Sequence, residues 1–209
     1  PESDLMPAAA DNPDGFWENL RFVQLNDEIL NAVGAAWDLP PWPNETFGHA
    51  NLHPLRTKAE LLLAPFRERS IWGWKDPRNC LTLRFWQRLL PGLKTIIIVR
   101  NPLEAAYSMH SRNRTSYALG LRRWEIYNRR LLATTRPDNR IIVHYQAFFD
   151  EARTQLERLV GFAGLKGAET EAAAALVTLT RRHTAFTTEQ MIDAGVSAEI
   201  VALYRSLIE

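Results

Sequence analysis

The chain has 209 residues, enough for one domain with a sizeable core, and its 46% hydrophobic and 23% charged content is ordinary for a globular protein. The formal net charge of +1 argues against a general polyanion binder such as a nucleic-acid-binding chain, but leaves room for a small basic pocket. The single cysteine, Cys80, excludes an intrachain disulfide and a thiolate zinc cluster and points to a reducing, cytoplasmic setting.

No apolar run reaches the length of a membrane helix, and there is no internal repeat. In chain order, the apolar spacing of Trp17, Leu20, Val23, Ile29, Leu30 and Val33 predicts a helix within Gly15 to Gly34. Trp37 to Pro54, rich in Pro and Trp, reads as a long loop. Thr57-Lys58-Ala59-Glu60 is a capping-box pattern opening a short helix to about Arg69. Ile71 to Trp74 reads as a short strand, and Leu81 to Leu90 as a helix that Pro91-Gly92 stops.

Thr95 to Val99 is a β-branched run, apolar on both faces, as a buried parallel strand requires. Asn101 then caps a helix with Pro102 in its first turn. Ser116 opens a longer helix through Trp124, Tyr127 and Leu131, and Ile141 to Tyr145 reads as a third strand. Further helices are expected at about Glu151 to Phe162, Glu169 to Thr180 and Ala198 to Leu207. Strands separated by helices indicate an α/β fold, a parallel sheet with helices on both faces, whose ligands bind at the carboxyl ends of the strands.

The segment richest in chemistry is Thr95 to Asn113. Arg100 directly follows a strand, at the rim of the sheet, and Ser108 lies eight residues on, two turns into the capped helix. A guanidinium fork and a hydroxyl suit a phosphate. On spacing alone, a sheet-edge Arg and a small residue at a helix contact explain the pattern equally well.

Arg100-Asn101-Pro102 with Ser108 resembles the 3′-phosphate-binding motif of sulfotransferases, which use 3′-phosphoadenosine 5′-phosphosulfate (PAPS). Lys75-Asp76-Pro77-Arg78, after the preceding predicted strand, resembles a segment of the bacterial sulfotransferase-like branch, as does Gly15-Phe16-Trp17-Glu18. The resemblance implies a P-loop NTPase-like fold and transfer of a sulfuryl group from PAPS to a hydroxyl or amine, leaving PAP, with no metal. Arg100 and Ser108 would hold the 3′-phosphate. Lys75 would offset charge on the leaving group, and Arg78 would hold the same group or orient its loop. Glu18 is the candidate general base and Asp14 the second; at Glu18, a favourable charge at a helix start is the plainer explanation. His49 and His53 are weaker candidates. Arg181-Arg182-His183 answers to the family's basic C-terminal loop only loosely, and a solvated charge run accounts for it.

One departure stands out. The family's glycine-bearing phosphate loop, between the first strand and first helix, has no counterpart in these 209 residues. The expectation is therefore a single domain over residues 1–209 that continues upstream of Pro1. Two other readings remain open: a catalytically inactive sulfotransferase-like domain, and a P-loop nucleotide kinase relative. The acceptor, a small molecule or a glycan, would meet a wall that includes Trp37, Trp42 and Phe47.

Overall fold

The computed structural model describes residues 4–9, 12, 15–177 and 186–208. The chain forms two compact units, Pro1–Leu93 and Lys94–Glu209.

The first unit is built on three helices, α1 (Leu20–Ala32), α2 (His53–Leu63) and α3 (Asn79–Leu89). Helix α1 starts later than its apolar pattern predicts because Asn19 caps it, its side chain accepting from the Arg21 and Phe22 amides. Trp17 lies outside the helix at φ 61° and is 66% exposed. The face that is buried carries Phe22, Leu25, Asn26, Ile29 and Leu30, spaced at three and four residues. Helix α2 begins at His53, not Thr57: Pro54 occupies its first turn, and Thr57 sits inside, donating back to the His53 carbonyl at 3.4 Å. The loop before it is anchored by Phe47, which is fully buried with Phe22, Phe85 and Trp86. Each such ring stabilises the unit by about 1.5–3 kcal/mol through burial alone. Phe47 is thus core, while Trp42 is exposed, so Trp37, Trp42 and Phe47 do not form a shared wall.

Residues 71–74 are not a strand. No described neighbour pairs with them, yet they keep a strand's alternation: Trp72 and Trp74 turn inward while Ile71, Gly73 and Lys75 turn out. The inward rings form a stack, Phe66–Trp72–Trp74–Phe22, with successive centroids 4.9, 5.7 and 4.8 Å apart. Aromatic packing holds this segment extended where a ladder was expected.

The second unit holds the sheet. Strands β1 (Thr95–Val99) and β2 (Arg140–His144) pair in parallel, with Thr95 opposite Arg140 and Val99 opposite His144. Helices α4 (Pro102–Asn113) and α5 (Tyr117–Thr134) make the crossover, and α6 (Ala147–Asp150), α7 (Ala152–Ala163), α8 (Thr170–Ala175), α9 (Thr188–Asp193) and α10 (Ala198–Ile208) follow. The α/β expectation holds as a parallel sheet flanked by helices, with two strands rather than three among the described residues. Strand β1 is not buried on both faces. Ile97 and Val99 are buried, but Ile96 and Ile98 are 46% and 57% exposed, because alternate side chains face opposite ways and only one side is covered. Helices α4 and α5 approach closely at Gly120, where a Cβ would come within 2.9 Å of Ala106 Cα. Helix α9 escaped the sequence reading although Thr187 and Gln190 make a full capping box at its start.

Candidate functional site

In the first unit, the turn before α1 and the extended aromatic segment bring Glu18 and Lys75 together. An antiparallel bridge between Leu5 and Asn19, with Met6 N donating to Glu18 O at 2.7 Å, fixes the backbone around Glu18. Lys75 Nζ donates to Glu18 Oε1 and, at 3.0 Å, to the Phe16 carbonyl. Glu18 is 4% exposed, and its second oxygen, Oε2, is buried with no hydrogen-bond partner. A buried carboxylate oxygen left in this state is costly and calls for a donor. Beside the pair lies a cleft of about 510 Å³, lined by Leu5, Trp17, Asn19, Phe22, Phe66, Gly73, Trp74 and Lys75.

Lys75 is aimed here by the residues that follow it. Asp76, buried, accepts from the Arg78 amide at 2.9 Å, from Arg78 Nη1 at 3.1 Å and from Asn26 Nδ2 at 2.8 Å. Arg78 Nε also donates to Asp27 at 2.6 Å. With two carboxylates beside it, its guanidinium is held charged, its pKa raised above the ordinary value against the opposing effect of burial. Arg78 thus ties the turn at Asp76 to Asp27 on α1. Asn26 completes the support: its oxygen accepts from Thr82 Oγ1 and Trp86 Nε1, both at 2.8 Å, so all four of its hydrogen-bonding positions are filled inside the core.

The second unit places Arg100 at the end of β1. Its carbonyl accepts from Trp124 Nε1 at 2.8 Å, its Nε donates to Glu104 Oε2 at 3.1 Å, and the Tyr145 ring lies 4.9 Å below the guanidinium. The two terminal nitrogens of Arg100 make no hydrogen bond to a described residue. Arg100, Glu104 and Ser108 follow one another at four-residue spacing, so they share one face at the start of α4, and Ser108 is half-buried there. Glu104 is 2% exposed and also accepts from Gln146 Nε2 at 3.1 and 3.2 Å and from the Phe186 amide at 3.3 Å. Asn101 caps α4 as expected and donates to the Phe186 carbonyl at 2.9 Å. The motif thus grips both backbone groups of Phe186.

The chain matches the profile of the sulfotransferase family. That profile matches residues 14–169, more than half of the chain. The chain belongs to the sulfotransferase family. No curated protein and no solved structure matches it. The matched span contains Glu18, Lys75, Arg78, Arg100 and Ser108.

The other candidates fare differently. His49 Nε2 lies 3.0 and 3.1 Å from the two oxygens of Glu45, and His53 opens α2, so neither lines the cleft. Asp14 and Arg181-Arg182-His183 lie outside the described residues. Sequence reading missed Asn26, Trp124 and Glu104 as supports of the Lys75 and Arg100 segments. Glu104 carried a signal, its four-residue distance from Arg100; Asn26 and Trp124 carried none, since their partners are remote in sequence.

Proposed function

We propose that the chain is a PAPS-dependent sulfotransferase acting on an acceptor hydroxyl or amine. The observation that carries this reading is the Lys75–Glu18 pair beside the cleft, with Glu18 Oε2 buried and unpartnered. When bound, PAPS supplies a sulfuryl group whose transfer releases PAP.

The residues divide the work. Glu18 Oε2 accepts the proton of the acceptor as the acceptor oxygen or nitrogen bonds to sulfur. Lys75 uses two of its three N–H donors on Glu18 and Phe16; the third would serve the oxygen that leaves with the bonding electron pair. Arg100 offers two terminal nitrogens, the pair that a phosphate takes in bidentate fashion, while Glu104 and the Tyr145 ring hold the guanidinium flat and in place. Ser108 adds a hydroxyl on the same helix face. These donors fit a 3′-phosphate.

Calorimetric titration of the natural chain with PAP, against adenosine 5′-phosphate, tests the reading. A charge-assisted phosphate contact contributes roughly 1.5–3 kcal/mol, so PAP should bind about tenfold or more tightly than the control. Equal affinities would sink it. PAP binding without transfer to any acceptor would assign an inactive nucleotide-binding relative instead.

A further inference from the structure

The first unit holds a second cleft, of about 250 Å³. Small-molecule pockets run from roughly 300 to 1,000 Å³, so this one admits a ligand of about the size of one amino acid. Glu60, Leu63 and Arg67 line it from one helical face, spaced three and four residues apart along α2 and the single 3-10 turn, Ala64–Phe66, that extends it. Arg88, Leu89 and Leu90 line it from the end of α3, and Trp72 from the extended aromatic segment. Its floor is apolar: Leu63 is buried, and Trp72, Leu89 and Leu90 pack against the same core. The charged residues are exposed, and no ion pair joins Glu60 to Arg67 or Arg88 although all three line the one cleft. Arg88 Nε donates to the Thr46 carbonyl at 3.2 Å, and its terminal nitrogens make no hydrogen bond to a described residue. The side chains of Glu60 and Arg67 have no partner among the described residues.

Two guanidinium groups, a carboxylate that pairs with neither, and an apolar floor with one indole match a small zwitterion with an apolar body. We infer that this cleft binds a free α-amino acid with an apolar side chain. Arg67 and Arg88 take its carboxylate, whose two oxygens suit the guanidinium fork. Glu60 takes its ammonium group, and Trp72 and the leucines cover its side chain. A phosphate fits poorly, because Glu60 repels a dianion and the leucines give it no donor. An arginine in the last turn of α3 also complements the helix dipole, which accounts for Arg88 but not for Arg67 or Glu60. The inference rests on this cleft and not on the sulfotransferase reading, whose residues lie elsewhere in the chain.

The test titrates the natural chain, Glu60→Gln and Arg67→Gln calorimetrically with L-phenylalanine, 3-phenylpropionate, 2-phenylethylamine, L-serine and PAP. Both substituted residues are exposed, so the variants keep the core. The last three amino-acid probes each lack one feature of phenylalanine: the ammonium group, the carboxylate or the ring. The expected result is L-phenylalanine binding about fivefold or more tightly than each of them. Glu60→Gln should bring phenylalanine down to the level of phenylpropionate. Arg67→Gln should weaken phenylalanine and phenylpropionate alike, by about threefold or more. PAP affinity should be the same in all three proteins. No binding of phenylalanine overturns the assignment, as does phenylpropionate binding equally well, which removes the ammonium group and with it Glu60. Phenylalanine affinity unchanged in both variants overturns it by placing the ligand elsewhere, and a parallel loss of PAP affinity overturns it by denying a separate site.

Discussion

Lys75 Nζ is ion-paired with Glu18 Oε1, although 57 residues separate the two in the chain. The pair is lopsided: the lysine side chain is 60% exposed and the glutamate side chain 6%. Such a pair contributes little as a surface salt bridge. Its weight lies in fixing a buried carboxylate whose other oxygen has no hydrogen-bond partner among the described residues.

Glu18→Gln should therefore cost turnover and little else. The amide oxygen can still accept from Lys75, but it cannot take a proton, and loss of a positioned base lowers rates by about 10²–10⁴-fold. PAP affinity should stay within about twofold of the parent. Steady-state rates of sulfuryl transfer beside PAP calorimetry check this. A rate within about threefold of the parent would remove Glu18 from the base role.

Arg100→Ala should abolish the preference for PAP over adenosine 5′-phosphate, a loss of about tenfold or more. Glu104→Gln should weaken PAP by a smaller factor, because Arg100 loses the carboxylate that orients its Nε. It should also lower stability by about 1–3 kcal/mol, since Glu104 serves Gln146 and the Phe186 amide as well. Urea unfolding and calorimetry on the same preparations separate the two effects.

At Gly120 the two crossover helices touch. An added Cβ would stand 2.9 Å from Ala106 Cα, and a backbone neighbour cannot swing aside as a side-chain tip can. Gly120→Val should destabilise the protein by about 1–3 kcal/mol or more through overpacking. The substitution Gly161→Ala, at a helical glycine with nothing within 4 Å of the added atom, is the control and should not destabilise. Thermal melts compare them.

His144 introduces a pH dependence. Its Nε2 lies 2.7 Å from the Tyr204 hydroxyl, and burial holds its pKa below the ordinary 6.5 against the opposing pull of Glu104 and Asp150. The unfolded chain therefore binds the proton more readily than the folded one. Its stabilising contribution is complete above about pH 6.5 and is lost as pH falls from there toward the lowered folded value. His144→Gln keeps an acceptor for Tyr204 but does not titrate, so the fall in urea midpoint between pH 7.5 and 5.5 should be smaller in the variant.

Cys80 should resist thiol reagents in the native protein. Part of the residue reaches the surface, but burial, with the Asp76 carboxylate adding to it, pushes its thiol up to about 12. Little thiolate exists at neutral pH. Modification by iodoacetamide should become fast only under denaturing conditions; rapid native labelling would contradict this environment.

The sequence by itself determined the elements whose causes are local. Thr95 to Val99 is a strand because it is a β-branched run, and α4 starts where Asn101 and Pro102 start it. Arg100 and Ser108 could be singled out for the same reason, since strand, cap and helix spacing all lie within nineteen residues, 95–113. Local patterns also misled where packing overruled them. The capping-box letters at Thr57 fall inside a helix that Pro54 had already begun, and Ile71 to Trp74 stays extended by ring stacking without a ladder. Only the tertiary structure decided that Glu18 meets Lys75, that Asn26 underpins the Asp76 turn, that Arg78 is spent on two carboxylates, and that Phe47 belongs to the core. Each of those depends on a partner roughly twenty-five or more residues away, and hydrogen bonds and van der Waals contacts act over a few ångströms of space, whatever the distance along the chain.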